Sequence, residues 1–185
     1  MSLKINLGAG TDIRGGYVNH DIAQLPGIDV LHDLDVYPWP WKHASVDEIV
    51  AKDLLEHLED FVAAMEELFR IVKPGGRVRL KVPYWNSWSR QADPTHRRGF
   101  HEITFRFFDP SSPYCRERPY YTNARFYIVK EAFVIAPFCP YFPLPGIGEI
   151  RISHPLMKRV IGFIGNTFSN IILDLDLELI RADED

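Results

Sequence analysis

The chain has 185 residues, of which 46% are hydrophobic and 25% are charged, and its formal net charge at pH 7 is −4. A chain of this length is most simply one domain, and its apolar content is ordinary for a soluble globular protein. Two cysteines form neither a metal-binding spacing nor a disulfide framework, so we expect a reducing compartment and no metal. The first residues lack the regions of a signal peptide, and the apolar stretch 133–150 contains four prolines, which argues against a spanning helix. We therefore expect a cytoplasmic protein.

The chain begins with a predicted strand, residues 3–7, that breaks into Gly8-Ala9-Gly10. Glycine at the end of a strand allows a ligand to lie directly against the backbone, because no Cβ atom blocks its approach. Gly-x-Gly after a strand is, however, more often a plain turn. By itself this segment indicates only a candidate nucleotide-binding turn.

An aspartate follows each of the next three predicted strands: Asp21, Asp33 and Asp53. In open α/β sheets, ligands bind beyond the carboxyl ends of the strands. Aspartate is also a common turn residue, so each of the three has an ordinary alternative explanation. Their occurrence in series with the glycine turn predicts one shared ligand site.

The rest of the chain alternates helix and strand. Apolar residues at helical spacing predict a helix over 58–72, and Pro74-Gly75-Gly76 ends it. Further elements are predicted as a strand at 77–82, a short helix around 101–108 within an irregular region, a strand at 126–136, a helix at 156–169 and a strand at 171–180. This order predicts an α/β fold with a mainly parallel sheet and an antiparallel edge.

The sequence resembles the class I S-adenosylmethionine-dependent methyltransferases, specifically their small type 11-like group. The resemblance covers about residues 3–110 and depends on an ordered series of motifs rather than on any single one. The matching segments are Ile5-Asn6-Leu7-Gly8-Ala9-Gly10, Val18-Asn19-His20-Asp21, Asp29-Val30-Leu31-His32-Asp33-Leu34, Ser45-Val46-Asp47-Glu48-Ile49, Leu55-Glu56-His57 and the run from Leu68 to Gly76. The resemblance implies a single domain over 1–185 with a Rossmann-like, seven-stranded methyltransferase sheet.

The resemblance also implies roles for residues around S-adenosylmethionine, whose product is S-adenosylhomocysteine. Gly8, Ala9 and Gly10 would lie under the methionine and ribose. Asp21 would bind the ribose hydroxyls, and Asp33 would accept a hydrogen bond from the adenine amino group, with Leu34 beside the ring. Asp53 would help to close the site, while Glu56 and His57 would orient its loop.

The sequence departs from the family pattern in its first connections. The intervals 11–16 and 22–27 are too short for helices, so the first helices are shortened or missing. Arg14 is a candidate to bind the methionine carboxylate in place of a helix N-terminus, and a solvated surface arginine is the alternative. One face of the sheet should then be partly uncovered, and it is a candidate homodimer surface. We expect Arg77, Arg79 and Lys81 to form a ladder there with Asp174, Asp176 and Glu178.

The region 83–125 is expected to face a small-molecule acceptor for O- or N-methylation. His96 or His101 is the candidate base, with a loop-stabilising hydrogen bond as the alternative for each. Residues 76–130 carry a net charge of +7. Five arginines in this segment favour an anionic acceptor: Arg90, Arg97, Arg98, Arg116 and Arg118. The alternative is that they are solvated surface residues. Nucleic acid is disfavoured, because the chain is acidic overall and lacks Asn/Asp-Pro-Pro-Tyr after its fourth strand.

Two other classes of protein were compared with this interpretation. A dinucleotide-binding oxidoreductase requires a third glycine opening a helix, and Ile13 stands at that position. A non-catalytic module of the same fold, which binds the cofactor or a protein partner, is the serious alternative. The shortened helices favour it, whereas the intact acids at the strand ends favour an enzyme.

Overall fold

The computed structural model describes residues 2–135 and 149–183. The strands are β1 (Lys4–Leu7), β2 (Val18–Asp21), β3 (Val30–Leu31), β4 (Val46–Lys52), β5 (Val72–Pro83), β6 (Phe126–Ile135), β7 (Ile150–Ile152) and β8 (Asp174–Arg181). The helices are α1 (Phe61–Ile71), α2 (Trp88–Ala92), α3 (Pro113–Glu117) and α4 (Pro155–Thr167), with 3₁₀ turns at Thr104–Phe107 and Pro119–Tyr121.

The strands form one sheet in the order β3-β2-β1-β4-β5-β8-β6-β7. β1 to β5 are parallel, and β8 lies antiparallel between β5 and β6. The predicted α/β class, with a mainly parallel sheet and an antiparallel edge, is therefore confirmed. The described residues contain eight strands, one more than predicted, because the short β7 pairs with β6 at the edge.

Helix α1 crosses from β4 to β5 and covers one face of the sheet. Its buried residues are Phe61, Ala64, Met65, Leu68 and Ile71, a single stripe at helical spacing. This stripe packs on strand residues such as Ile5, Ile49 and Val78 in the main hydrophobic core. The same face is covered further along by α4, where Gly162 lies close to Phe133 of β6. The core therefore lies on one side of the sheet.

The face of the sheet opposite α1 and α4 carries charged side chains of β5 and β8. The segments between β1 and β2 and between β2 and β3 contain no helix in the described structure, as the short intervals predicted. The predicted ladder is confirmed in part: Arg77 pairs with Glu178 at 2.7 Å and Lys81 with Asp174 at 3.1 Å, while Arg79 pairs more closely with Glu48, at 3.1 Å, than with Glu178, at 3.9 Å. Asp176 pairs instead with Arg151 of β7, at 2.5 Å.

The region 83–125 is mostly irregular, as expected, but its aromatic side chains complete the core. Phe100, Phe105 and Phe108 each pack edge-on against Phe61 of α1, with ring centroids 5.0 to 5.7 Å apart. Most of the proline-containing stretch 133–150 lies outside the described residues. Within the described part of the chain, no helix combines the length and apolarity needed to cross a membrane.

Candidate functional site

A cavity of about 500 Å³ opens at the edge of the sheet where β1 to β4 end. Because these strands are parallel, their carboxyl ends meet at that edge. Five predicted site residues line the cavity: Gly8, Asp21, Asp33, Leu34 and Asp53. The remaining lining residues are His20, Ile22, His32, Asp35, Leu54, His57, Leu58 and Thr95. The structure thus brings together the strand-end residues that the sequence had separated by up to 45 positions.

Gly8, the first residue of the glycine turn, lines the cavity. Gly8 and Gly10 have φ angles of +60° and +50°, which glycine adopts without steric cost. Between them, the Ala9 amide donates to the His20 carbonyl at 2.8 Å. A Cβ atom on Gly8 would come within 2.9 Å of Leu54, so only glycine lets the two loops approach this closely.

Asp21 ties the glycine turn to the next loop. One of its carboxylate oxygens accepts from the Gly10 amide at 2.8 Å, and the other accepts from the Ala23 amide at 2.9 Å. Each carboxylate oxygen retains a further lone pair. Asp21 can therefore accept two more hydrogen bonds from a ligand without releasing the backbone that positions it.

The other two acids are more exposed. Asp33 accepts from the Asp35 amide at 3.0 Å, which closes a small turn. Asp53 has a φ angle of +49°, a conformation that costs energy for a residue with a side chain. Its amide donates to the Lys81 carbonyl at 2.9 Å, so β5 holds it in place.

His20 supplies a buried acceptor that was not predicted from the sequence. Burial lowers the pKa of His20 more than its hydrogen bond to His32 and the charge of Asp21 raise it, so the ring is neutral at pH 7. Its Nε2–H donates to the His32 carbonyl at 3.0 Å, which leaves Nδ1 as an acceptor. Nδ1 is buried and has no hydrogen-bond partner among the described residues. The sequence did contain a signal for a histidine in the cavity, because the pair His-Asp occurs at the ends of two successive strands, at 20–21 and 32–33.

Ala9, Gly10 and Arg14 are not among the residues that line this cavity. Ala9 lines a neighbouring hollow of about 440 Å³ that shares Gly8 and Asp53 with the cavity. Gly10 helps to position a cavity residue, because its amide donates a hydrogen bond to the Asp21 carboxylate. Arg14 lies in a hollow on the uncovered face of the sheet, and its guanidinium pairs with Asp12 at 2.8 Å.

The two candidate bases also lie outside the cavity lining. The Nε2 atom of His96 is 3.8 Å from Oε1 of the buried Glu56. His101 contacts Asn166 through Nε2 at 3.0 Å and Glu102 through Nδ1 at 3.3 Å. Three other histidines line the cavity, namely His20, His32 and His57, and the last of them was expected only to orient a loop.

Four of the five arginines proposed for an anionic acceptor are engaged within the protein. Their partners are carboxylates or backbone carbonyls: Glu59 for Arg97, Leu58 and Glu59 for Arg98, Pro110 and Ser111 for Arg116, and Glu117 for Arg118. Arg90 differs, since its guanidinium donates to the side-chain oxygen of the neighbouring Gln91 at 3.2 Å. It lines a hollow of about 740 Å³ with Trp85 and Trp88, in the segment that follows β5.

Sequence comparison relates part of the chain to methyltransferases. Residues 9–80 match the family described as "Methyltransferase domain". A probable S-adenosylmethionine-dependent methyltransferase of Mycolicibacterium smegmatis is 32% identical over 93 residues. That alignment covers 48% of this chain and 36% of the relative, so the chain matches about a third of the relative's length.

Solved structures extend the likeness to the whole fold. A methyltransferase from Archaeoglobus fulgidus, described as dependent on S-adenosylmethionine, aligns with a TM-score of 0.62 at 16% identity, covering 97% of this chain and 86% of that one. A possible histamine N-methyltransferase from Thermotoga maritima has a TM-score of 0.59 at 12% identity, with 99% and 83% covered. Geranyl diphosphate C-methyltransferase from Streptomyces coelicolor, solved with Mg²⁺, geranyl diphosphate and S-adenosylhomocysteine, has a TM-score of 0.57 at 12% identity, with 98% and 72% covered. At such identities the likeness establishes the fold alone, and it confirms the predicted Rossmann-like architecture.

Proposed function

We propose that this chain, a class I S-adenosylmethionine-dependent methyltransferase by sequence match and by fold, transfers a methyl group from that cofactor to a small acceptor. The observation that carries the proposal is the single cavity in which the glycine turn and the strand-end acids Asp21, Asp33 and Asp53 meet. Its volume of about 500 Å³ lies in the usual range for cofactor sites.

The cavity offers groups that complement the cofactor. The ribose hydroxyls, the adenine amino group and the ammonium group of S-adenosylmethionine all donate hydrogen bonds. The residues lining the cavity offer acceptors at Asp21, at Asp33 and at Nδ1 of His20, which has no partner among the described residues. We assign Asp21 to the ribose and Asp33 to the adenine amino group. The side chains of Leu34, Leu54 and Leu58 supply apolar contact for a flat ring.

When bound, the cofactor supplies a sulfonium methyl group whose leaving group is neutral, so the protein needs no acid. Its main task is to hold the acceptor in line with the methyl carbon, and positioning alone can contribute much of the rate. A hydroxyl or ammonium acceptor must also lose a proton. His96 and His101 remain the proposed bases for that step.

We place the acceptor beside the segment that follows β5. The hollow between Trp85, Trp88 and Arg90 lies at the carboxyl end of β5, the same edge of the sheet as the cofactor cavity. Arg90 would pair with a carboxylate or phosphate of a small anionic acceptor, and the tryptophans would pack on its body. Transfer to oxygen or nitrogen is the proposed chemistry.

Isothermal calorimetry with S-adenosylmethionine and S-adenosylhomocysteine tests the proposal. We expect both to bind, and we expect Asp21→Asn to weaken binding by about tenfold or more, since a charge-assisted hydrogen bond is lost. Glu117→Gln, a change at an exposed residue outside the cavity, serves as the control. Absence of binding at millimolar cofactor would overturn the proposal.

Catalysis needs a second measurement. Incubation with methyl-labelled cofactor and pools of small anionic metabolites should label an acceptor, and Arg90→Gln should reduce that labelling more than it reduces cofactor binding. Binding without labelling of any pool would instead support the non-catalytic module that is the alternative for this fold.

The uncovered sheet face is the proposed surface for a homodimer. It presents a row of cations on β5 beside a row of acids on β8, so two copies could pair opposite charges. Light scattering at low and high salt tests this, since a dimer of this kind should dissociate as salt rises. A cytoplasmic location remains a prediction from the sequence.

A further inference from the structure

Glu56 is an acidic residue buried within the protein. Its side chain is fully buried, and neither Oε1 nor Oε2 has a hydrogen-bond partner in the described structure. Burial of a carboxylate without a partner costs several kcal/mol, and native proteins rarely leave such a group unsatisfied. A bound proton or a bound cation would each remove this cost.

Two histidines converge on this carboxylate. The Nε2 atom of His96 lies 3.8 Å from Oε1 of Glu56, too far for a hydrogen bond, and Nδ1 of His96 is buried without a hydrogen-bond partner in the described structure. The rings of His57 and His96 meet edge to face, with centroids 4.7 Å apart. One ligand atom from each of the three side chains lies within 4.8 Å of the other two.

The orientation of His57 is fixed by an outer carboxylate. The Thr95 hydroxyl donates to Asp93 at 2.6 Å, so it accepts from the Nδ1–H of His57 at 2.9 Å. A neutral His57 held in this tautomer carries its lone pair on Nε2. Histidines that bind metals are characteristically held in this way through their other ring nitrogen.

We propose that Glu56, His57 and His96 bind a divalent cation of the late first-row series, with Zn²⁺ as the best match. Two imidazoles and one carboxylate suit Zn²⁺, whereas Mg²⁺ and Ca²⁺ prefer sites built of oxygen ligands. Bonds of about 2.0–2.2 Å place tetrahedral ligands roughly 3.4 Å apart. The three ligand atoms lie within 4.8 Å of one another, so binding the ion would draw them together by at most about 1.4 Å.

The cation would lie in the wall of the cofactor cavity, because His57 lines that cavity. Three protein ligands leave a fourth position open to water or to an acceptor atom. With His96 engaged as a ligand, His101 is left as the proposed base. The sequence, by contrast, predicted no metal and a structural role for Glu56 and His57.

The test uses the full chain after treatment with a chelator. Titration with Zn²⁺ against a chromophoric competitor should show one saturable site, and Co²⁺ should give the absorption of a tetrahedral complex. We expect Glu56→Gln and His57→Ala each to weaken Zn²⁺ binding by about tenfold or more. His154→Ala, at an exposed histidine that directly precedes α4, should bind as the wild type does.

A second variant separates loss of the site from loss of the fold. His96→Cys should retain Co²⁺ and add a thiolate charge-transfer band, which places residue 96 on the ion directly. Cofactor binding measured on the same samples distinguishes failure of this proposal from failure of the proposed function. Absence of saturable Zn²⁺ binding by the wild type, unchanged affinity in Glu56→Gln, or a Co²⁺ spectrum without that band would each overturn the proposal.

Discussion

Gly8 and Leu54 approach so closely that a Cβ atom on Gly8 would lie 2.9 Å from the Leu54 Cδ1 atom. Gly8 directly follows β1 and Leu54 follows β4, so this contact joins two loops that line the proposed cofactor cavity. Two properties of glycine are used together here: a φ angle of +60° and the absence of a side chain.

We expect Gly8→Ala to lower the free energy of unfolding by about 1–2 kcal/mol from backbone strain, with a further loss from the contact with Leu54. Gly10→Ala is the matched comparison, since Gly10 has a φ angle of +50° but no atom within 4 Å of its added Cβ. Urea unfolding of both variants measures the difference.

Gly15→Ala provides the control for this pair. Gly15 lacks a positive φ angle, and its added Cβ meets open space, so this variant should unfold as the wild type does. If Gly8→Ala and Gly10→Ala lose the same stability, the contact with Leu54 contributes nothing and the backbone conformation accounts for the whole effect.

The ion pairs of the β5–β8 ladder should differ in strength according to their burial. The Arg77 side chain is 53% exposed, so Arg77→Met should cost at most about 1 kcal/mol. The Asp174 side chain is 6% exposed and faces Lys81. Lys81→Met leaves that buried carboxylate without its cation and should cost about 3 kcal/mol.

Chemical denaturation of the two Met variants tests this difference. Adding Asp174→Asn to the Lys81→Met protein should recover part of the lost stability, because the unpaired buried charge is removed. Equal losses for Arg77→Met and Lys81→Met would contradict the argument from burial.

Helix α1 should depend on its N-cap. Asp60 accepts a hydrogen bond from the Ala63 amide at 3.0 Å, which satisfies one of the free N–H groups of the first turn. We expect Asp60→Ala to lower the free energy of unfolding by about 1 kcal/mol and Asp60→Ser to preserve most of it. Thermal unfolding of both variants measures this, and an equal loss in the two would argue against the cap.

Patterns within short stretches of sequence predicted the structural features that depend only on those stretches. Alternation of charge along 77–82 placed Arg77 and Lys81 on one face, and strand-end positions brought Asp21 and Asp33 to one cavity, because parallel strands end at the same edge. The short strand β7 escaped prediction, since three residues at an edge carry too little periodicity.

Features that join distant segments could not be predicted in the same way. Glu56 and His96 lie 40 positions apart, and their contact depends on how the region after β5 folds back over β4. Arg14 pairs with Asp12 only two residues away, but its place in a hollow beside β5 and β8 depends on how the loop between β1 and β2 packs on the sheet. Tertiary packing, rather than propensity, decided both.

His20 should make the protein sensitive to acid. Burial is the main cause that lowers the pKa of His20 below its usual 6.5, so in acid the unfolded chain takes up a proton that the folded chain excludes. Its contribution to stability is therefore present above about pH 6.5 and is lost as the pH falls, at up to about 1.4 kcal/mol per pH unit. In His20→Asn this slope should vanish, so the variant should lose less stability than the wild type between about pH 7 and pH 5.5, measured by urea unfolding. The exposed His154→Asn should retain the slope of the wild type, and the same retained slope in His20→Asn would show that the buried ring does not govern it.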